Sequence, residues 1–203
     1  MTVPALLLVL AYLIGAIPCG YLLVRWKTGG DVRASGSGNI GATNVWRTTS
    51  RATGLATLAL DIAKGYLAVW IAGRLAGGSP IWMSAAALAV MAGHAYPVFL
   101  RFQGGKAVAS FVGAFLCLAP LALAAQVLVF VAVVAWTRHI SMGSIVGAAT
   151  FPLGVWLIQQ APWPVLAAAA AGSAFIIYKH RSNIRRLRAG TESVFSLGGA
   201  PRR

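Results

Sequence analysis

The sequence predicts an all-α protein that crosses a membrane several times. Of its 203 residues, 59% are hydrophobic and only 10% are charged, whereas soluble domains carry far more charge. A bilayer core about 30 Å thick takes roughly 20 apolar residues per helix, and apolar segments of about this length recur along the chain. Lysine and arginine gather in the loops between them. Together these observations predict about seven transmembrane helices in a single domain of residues 1–203.

The first predicted helix, Thr2 to Val24, contains no charged residue and follows no basic segment. We therefore expect a spanning helix rather than a cleaved signal peptide. A hydrophilic, glycine-rich loop, Arg25 to Ala52, comes next. The other predicted apolar segments are residues 54–74, 80–100, 107–118, 121–137, 142–159 and 163–179. Because 107–118 is too short to span unaided, a total of five or six helices stays possible, and residues 194–203 are expected to form a disordered tail.

The distribution of basic residues predicts the orientation. With the N-terminus outside and the C-terminus in the cytoplasm, every lysine and arginine faces the cytoplasm except Lys64, which lies within a helix, and Arg74. The net charge of +14 is then concentrated on one face. Such a face binds anionic lipid at about 1 kcal/mol per base. Lipid binding does not require glycines, yet glycines accompany the bases in two inward loops.

The first of these loops has the spacing G-x-G-x-x-G from Gly36 to Gly41, and Asp61 follows 20 residues later. We do not expect a dinucleotide site, because a membrane helix rather than a strand precedes the motif. Backbone amides without a Cβ, hydroxyls and a guanidinium still suit a phosphate group. Ser37, Thr43 and Arg47 supply these side chains. The alternative is a flexible loop with incidental serines.

The second loop carries Gly104, Gly105 and Lys106 at the start of a predicted helix. Free amides and the helix dipole at such a position favour an anion. The nucleotide-binding P-loop pattern is not met, because Leu100 stands where it needs glycine and Ala107 where it needs serine or threonine. A simple turn before a helix remains the alternative.

The third polar segment follows the last predicted helix. His180, Asn183 and Ile184 share one helical face by their spacing. A second face holds Arg181, Arg185 and Arg188. One face then looks into a site and the other meets lipid headgroups, although a polybasic helix beside the membrane explains the arginines equally well.

Within the apolar segments, Asp61 and Lys64 are three residues apart and so face the same way. Each costs about 2.5–3.5 kcal/mol at the bilayer centre, which predicts a pair turned toward the protein interior, either as a salt bridge or as the wall of a site. His94 is expected to be a packing or helix-kink histidine. Cys19 and Cys117 are expected to be small core residues.

The inventory of acids limits the chemistry. The whole chain has only Asp31, Asp61 and Glu192, so paired-carboxylate hydrolysis and acidic metal cages have too few ligands. No metal or cofactor is expected. Bases, amides and hydroxyls must therefore carry the chemistry, which suits phosphorylated substrates.

Taken together, the three polar segments resemble the bacterial acyl-phosphate-dependent glycerol-3-phosphate 1-acyltransferase family, which opens phosphatidic acid synthesis. The resemblance extends over essentially the whole chain and rests on residues 36–47, 104–106 and 179–192. It implies acyl transfer from an acyl-phosphate to the 1-hydroxyl of sn-glycerol 3-phosphate, giving lysophosphatidic acid and phosphate. It also implies a multi-pass protein of the bacterial inner membrane with its active site at the cytoplasmic face.

The resemblance also implies roles for single residues. Catalytic roles fall to Ser37, Arg47, His180 and Asn183. Substrate-binding roles fall to Gly36, Gly38, Asn39, Gly41, Thr43, Asn44, Gly104, Gly105, Lys106 and Ser110, to which we add Lys64. A structural role falls to Glu192, and from its pairing with Lys64 we add Asp61. The family's second motif usually reads Gly-Gly-Lys-Gly-Val-Ala-Thr, and the chain departs from it at Ala107 and Ser110.

Other functions remain possible on the sequence alone. Broken helices and basic pockets also serve carriers of organic phosphates, although no inverted repeat is evident. A lipid-binding scaffold without turnover explains the arginines but not the glycines. The expected partners are the two substrates and the lipid bilayer, with no nucleic acid and no obligatory protein partner.

Overall fold

The computed structural model describes residues 2–195, and the side chains from residue 5 onward. Within that range the protein is all-α, as predicted, and has no strand. The helices are α1 (Thr2–Ala16), α2 (Cys19–Thr28), α3 (Ala42–Thr48), α4 (Arg51–Leu75), α5 (Pro80–Ala95), α6 (Val108–Leu118), α7 (Pro120–Thr137), α8 (Ile140–Gly154), α9 (Trp163–Lys179) and α10 (Arg181–Arg188). They form two compact units, one ending at Leu118 and the other starting at Ala119.

Five helical segments of the described chain are long and apolar enough to cross a membrane. They are Ala5–Thr28, Arg51–Leu75, Pro80–Leu100, Pro120–Thr137 and Ile140–Gln159. Two shorter apolar helices, α6 and α9, complete the predicted set. At about 1.5 Å per residue, the 11 residues of α6 extend only about 16 Å, roughly half the bilayer core. A total of seven spans and the orientation of the termini therefore stay predictions.

The first apolar segment differs from its prediction as one uninterrupted helix. It breaks after Ala16, and α2 restarts at Cys19. Pro18, at the break, has no N–H group, and its ring disfavours helical backbone in the residue before it. The segment still covers 24 residues as one candidate span, so the break changes its internal hydrogen bonding rather than its reach.

Glycines let the helices of the first unit approach closely. A Cβ on Gly15 of α1 would collide with the backbone of Val90 in α5, and a Cβ on Gly93 of α5 would collide with the backbone of Tyr12. Between α4 and α6 the same relationship holds for Gly113, whose Cβ would meet the Ile62 carbonyl. Small residues at helix contacts are typical of membrane proteins, where burying apolar surface gives little drive to association.

The chain between these helices is folded by turn residues that the sequence indicates. Ser50 caps α4 by accepting a hydrogen bond from the Thr53 amide at 3.2 Å. After α4, Gly77 and Gly78 both adopt positive φ, and Pro80 opens α5 at its first position.

In the second unit, α7 ends at Arg138, which has a φ of 59°. The helix α8 contains Pro152 and continues as a π-helix, Val155–Gln159. A proline inside a helix removes one backbone hydrogen bond, and a wider π turn is one way the chain accommodates the loss. The helices α9 and α10 meet at His180, where the helical backbone is interrupted.

Candidate active-site segments

The loop of the first motif is held together by one buried amide. Asn44, which is 3% exposed, accepts a hydrogen bond from the Ser37 amide on its Oδ1 at 2.9 Å. Its Nδ2 donates to the carbonyls of Val32, Ser35 and Asn39 at 2.8–3.2 Å. The side chain of Asn44, predicted to bind substrate, therefore makes its hydrogen bonds to the backbone of the loop.

Two glycines of this loop adopt backbone conformations that other residues avoid. Gly36 and Gly38 have φ values of 60° and 70°. A Cβ on Gly36 would also collide with the Asn44 amide oxygen. The third glycine, Gly41, has ordinary backbone and donates its N–H to the Asn39 side chain at 2.8 Å.

The polar side chains predicted to bind an anion lie on the outside of this loop. Ser37, Thr43 and Arg47 are all exposed. Their side chains make no hydrogen bond to any part of the protein between residues 2 and 195. The loop held by Asn44 thus presents two hydroxyls and a guanidinium that no side chain or backbone group of the described residues engages.

The first and second motifs belong to the same unit and share a small hydrophobic core. Val32, Ile40 and Val45 from the loop of the first motif pack with Leu100, which lies four residues before Gly104. Val24 of α2 completes the cluster. The structure therefore anchors both polar loops to one set of apolar side chains, a link the motifs alone did not reveal.

The glycines of the second motif dock onto the C-terminal end of α5. The Gly105 amide donates a hydrogen bond to the His94 carbonyl at 3.0 Å. A Cβ on Gly104 would collide with that carbonyl and with the Pro97 ring, and a Cβ on Gly105 would collide with the His94 imidazole. Lys106, half-buried, follows directly. Glycines are thus needed here for close approach.

Strained backbone surrounds Lys106. Arg101, Phe102 and Ala107 have φ values of 53°, 63° and 61°. These values lie in the left-handed region, which residues other than glycine rarely adopt. Ala107 is the position at which the family motif has glycine. Ser110, a predicted substrate-binding residue, is fully buried, and its carbonyl lies where a Cβ on Gly65 of α4 would be. Ser110 therefore belongs to the α4–α6 contact.

The intramembrane pair predicted from the sequence faces the protein interior. Lys64 Nζ lies 2.8 Å from Asp61 Oδ1, and both side chains are at most 6% exposed. Lys64 also donates to the carbonyl of Ile17 at 2.7 Å. His94 Nδ1 lies 3.6 Å from the same Asp61 oxygen. Nothing in the local sequence pattern places His94 beside this pair, because helix spacing does not say which helices pack together.

In the second unit, Glu192 gathers three hydrogen bonds. Its carboxylate accepts from Asn183 Nδ2 at 2.6 Å, Ser141 Oγ at 2.8 Å and Arg186 Nε at 2.7 Å. Gly190, with a φ of 67°, turns the chain back after α10 so that Glu192 reaches these partners. Burial raises the pKa of Glu192, but the three donors outweigh it and the pKa lies below its ordinary value. Ser141 was missed from the sequence, since nothing in a lone serine 51 residues away marks it.

His180 and Asn183 lie on the buried face of α10 and its junction with α9, at 2% and 4% exposure. The arginines of the opposite face, Arg181, Arg185 and Arg188, are exposed, as the helical spacing predicts. His180 Nδ1 lies 2.8 Å from the Ile176 carbonyl. Because a carbonyl only accepts, Nδ1 carries the proton, and in the neutral ring Nε2 is the acceptor.

Every acidic side chain of the protein is engaged by a base. The pairs are Asp31 with Arg33 at 2.6 Å, Asp61 with Lys64 at 2.8 Å and Glu192 with Arg186 at 2.7 Å. The hydrogen bond from the Arg33 guanidinium lowers the pKa of Asp31. Within residues 2–195 no three histidine, cysteine or acidic residues cluster as metal ligands do. No carboxylate is thus left unpaired for acid–base work.

Comparison with known solved structures agrees with this architecture. The fold matches two crystal structures of PlsY (YgiH), described as an integral membrane glycerol 3-phosphate acyltransferase, in a glycerol 3-phosphate form and a lysophosphatidic acid form. The TM-scores are 0.89 and 0.86 at 36% and 35% sequence identity, and each match covers 95% of this chain. The matches cover 96% and 95% of the two solved chains.

Sequence comparison points the same way. The chain is 46% identical to the glycerol-3-phosphate acyltransferase of Geobacter sulfurreducens, over 94% of this chain and 96% of the relative. It is 48% identical to the enzyme of that name from Trichlorobacter lovleyi, over 91% and 94%. The family model for glycerol-3-phosphate acyltransferase matches residues 5–190. The chain therefore belongs to the glycerol-3-phosphate acyltransferase family, which its three motifs predict.

Proposed function

We propose that this protein transfers the acyl group of an acyl-phosphate to the 1-hydroxyl of sn-glycerol 3-phosphate, giving lysophosphatidic acid and inorganic phosphate. The acceptor is supported by the names of its relatives. Acceptor and product are supported by the two ligand forms in which the solved PlsY structures are described. The donor is argued from the chemistry of the residues.

The observation that carries the proposal is the contrast between paired acids and unused cationic and hydroxyl groups. All three carboxylates are engaged by bases, while Ser37, Thr43 and Arg47 are exposed on the loop that Asn44 holds. An acyl-phosphate is a mixed anhydride whose phosphate leaves without help from an acid. The protein then has to hold two anions together and stabilise the oxyanion, which cations, amides and hydroxyls do.

The reaction balances without a cofactor. The 1-hydroxyl oxygen attacks the acyl carbon, the bond from that carbon to the phosphate oxygen breaks, and the hydroxyl proton passes to a base. In the neutral ring of His180, Nδ1 carries the proton, so Nε2 can accept one. The phosphate of glycerol 3-phosphate, with a second pKa of about 6, is the other acceptor. We favour the substrate phosphate. His180 then binds phosphate, a contact that requires a proton on Nε2 because the Nδ1 proton is donated to the Ile176 carbonyl.

The roles that we propose for single residues follow their surroundings. Arg47, Ser37 and Thr43 bind the phosphate of one substrate. Lys106, presented by Gly104 and Gly105, binds glycerol 3-phosphate. Asn183 positions substrate from the face that it shares with His180. Residues that act through the shape of these loops are Gly36, Gly38, Asn39, Gly41, Asn44 and Glu192, and Asp61, Lys64 and Ser110 act within the helix contacts.

We further propose that these segments work at the cytoplasmic face of a bacterial inner membrane. The turn that joins α4 to α5, residues 76–79, contains no lysine or arginine, and Arg74 is the one base near this end of the two helices. The basic loops 25–51 and 101–106 lie at the opposite ends of α4 and α5. Labelling of single cysteines placed at Ser79 and Ser35 in intact cells and in inverted vesicles tests the orientation. Modification of Ser35→Cys from outside intact cells would contradict it.

The activity is tested with purified protein in detergent, supplied with palmitoyl-phosphate and labelled glycerol 3-phosphate. We expect labelled lysophosphatidic acid without coenzyme A or acyl carrier protein. Palmitoyl-coenzyme A and palmitoyl–acyl carrier protein serve as alternative donors in parallel reactions. Product from a thioester but not from palmitoyl-phosphate would reject the donor that we propose, and no product from any donor would reject the acyltransferase.

Two substitutions tie the activity to the proposed residues. Arg47→Ala is expected to lower kcat/KM at least about 100-fold, because it removes one charge-assisted contact to the substrate phosphate. Arg51→Ala, four residues on and also exposed, serves as the matched control and is expected to retain activity. His180→Gln is expected to raise KM more than it lowers kcat. A collapse of kcat at saturating substrate would instead make His180 the obligatory base.

A further inference from the structure

The side chain of His94 lies between the intramembrane ion pair and the loop of the second motif. It is 3% exposed, in the last turn of α5. On one side its Nδ1 is 3.6 Å from Asp61 Oδ1. On the other side its Nε2 edge occupies the space that a Cβ on Gly105 would take. The imidazole therefore fills the space between Asp61 and the Gly105 backbone, and its separation from Asp61 is longer than a hydrogen bond.

Asp61, on the side of the imidazole away from Gly105, is itself held in place. Lys64 holds the same Asp61 oxygen at 2.8 Å and donates to the Ile17 carbonyl at 2.7 Å. This carbonyl lies at the break between α1 and α2, so three helical segments set the position of Asp61. A buried polar chain of this kind permits few arrangements, because each alternative leaves a charged group without a partner.

The contact in front of the ring is specific to one of the two glycines. Gly104 packs on the backbone carbonyl of His94 and on the ring of Pro97, atoms that remain when the His94 side chain is removed. Gly105 packs on the imidazole itself, through Nε2, Cδ2 and Cε1. Adjacent glycines of one motif thus depend on different atoms of the same residue.

We propose that His94 is a positioning residue for the glycerol-phosphate site. Its imidazole, packed between Asp61 and Gly105, supports the Gly105 backbone and so sets where Lys106 begins. The inference rests on the proposed function in one respect, that Lys106 binds the phosphate of glycerol 3-phosphate. If His94 only packs in the core, its removal would lower the stability of the protein and leave the affinity for glycerol 3-phosphate unchanged.

The first experiment is a double-mutant cycle between His94→Ala and Gly105→Ala. Each single change is expected to raise the Kd and KM for glycerol 3-phosphate about tenfold or more, with little change in KM for palmitoyl-phosphate. In the double variant the added methyl enters the space that the ring has left. We therefore expect the double variant to bind at least about fivefold tighter than the product of the single effects, as coupled neighbours do.

Gly104→Ala provides the matched control, because its Cβ meets backbone and Pro97 rather than the imidazole. Combined with His94→Ala, it is expected to show no such rescue. Equal behaviour of the two cycles, or additive effects in both, would overturn the proposal. Calorimetric titration of glycerol 3-phosphate into the detergent-solubilised protein gives Kd independently of the acyl donor.

A conservative series separates positioning from folding. An asparagine at position 94 places an amide near the original Nδ1 and lacks the atoms that touch Gly105. His94→Asn is thus expected to keep the melting temperature close to that of the parent protein while the Kd for glycerol 3-phosphate rises. Binding equal to that of the parent protein would contradict the proposal.

Amide hydrogen exchange of the peptide containing Gly105 makes the test independent of substrate. The Gly105 amide is bonded to the His94 carbonyl at 3.0 Å, so displacement of the loop exposes it. We expect faster exchange in Gly105→Ala and recovery in the double variant. If the parent protein does not bind glycerol 3-phosphate, the proposed function fails, and exchange still decides whether His94 supports the loop.

Discussion

Lys64 Nζ lies 2.7 Å from the carbonyl oxygen of Ile17, at the point where the first apolar segment breaks before Pro18. The last carbonyls of a helix have no partners within it, and in a membrane no water replaces them. The ammonium group serves this carbonyl and Asp61 at once. The Ile17 carbonyl also accepts from the Cys19 amide at 3.1 Å, so Lys64 is a second, charged donor at the break.

Lys64→Met is expected to be the most destabilising of the conservative changes in this region. It leaves Asp61 buried without its cation and the Ile17 carbonyl without its charged donor, a loss of about 3–5 kcal/mol. The free energy of unfolding, measured by titrating mixed micelles with dodecyl sulfate, reports the effect. The double variant with Asp61→Asn and Lys64→Met removes both charges and should lose less than Lys64→Met alone.

Lys27→Met is the control for the loss of a lysine. Its ammonium group donates to Thr53 Oγ1 at 3.0 Å from an exposed position, so we expect a change below about 1 kcal/mol. If Lys27→Met and Lys64→Met lower the free energy of unfolding equally, burial of the Asp61–Lys64 pair does not account for the effect of Lys64→Met.

Asn44→Asp tests the amide that holds the first motif. A carboxylate still accepts from the Ser37 amide but has no N–H for the carbonyls of Val32, Ser35 and Asn39, and it faces their negative ends. The loss of buried hydrogen bonds is worth about 1–3 kcal/mol. We expect at least a tenfold fall in kcat/KM and faster proteolysis of the loop.

Asn39→Ala removes a side-chain acceptor of the same loop at a less buried position, where Oδ1 receives only the Gly41 amide. Its effect on kcat/KM and proteolysis should be clearly smaller than that of Asn44→Asp. A reversed order of the two variants would show that Asn44 does not organise the loop.

The sequence was sufficient for the features that depend on local pattern. Hydropathy predicted the all-α membrane fold, and the glycine-rich motifs predicted the family, both of which are confirmed. Helical spacing predicted that Asp61 and Lys64 pair, which they do at 2.8 Å. Each of these features involves residues close together in the chain or a composition that needs no partner.

Features that depend on which helices pack together escaped prediction. His94 meets Gly105 and Asp61, and Ser141 meets Glu192 across 51 residues, by tertiary contacts that no local spacing encodes. The break at Pro18 lies within a segment that is apolar enough on average to count as one candidate span. An average of hydropathy does not detect the missing N–H of one proline, although Pro18 itself can be seen in the sequence.

Ala107→Gly is expected to stabilise the protein. Ala107 has a φ of 61°, and a left-handed L-residue costs about 1–2 kcal/mol relative to its ordinary conformations. Glycine avoids this strain but makes the unfolded chain more flexible, which leaves a net gain of up to about 1 kcal/mol. We expect a higher melting temperature and a lower KM for glycerol 3-phosphate, because Lys106 directly precedes this position.

Ala109→Gly, in the first turn of α6, is the control with ordinary helical backbone. There the same change should destabilise by about 0.5–1 kcal/mol. Destabilisation at both positions would mean that the strain at Ala107 is relieved elsewhere in the native loop.

Glu192 makes the stability of the second unit depend on acid pH. Its pKa in the folded protein lies below the value of about 4.3 for an unfolded chain, because the donors Asn183, Ser141 and Arg186 outweigh the effect of burial. A lowered folded-state pKa contributes stability that is fully present above the unfolded pKa. That contribution is lost as the pH falls through the folded-state pKa.

Glu192→Gln removes the titration while keeping the shape of the side chain. The difference in melting temperature between the parent protein and Glu192→Gln should be constant from pH 8 to about pH 5.5 and should shrink below about pH 4.3. Asp31, whose pKa is also lowered, is present in both proteins and cancels in the difference. Ser141→Ala keeps the carboxylate and loses one hydrogen bond, so its smaller deficit should persist across the neutral range. A difference for Glu192→Gln that grows toward acid pH would contradict the assigned direction and with it the view that the three donors hold Glu192 as a carboxylate.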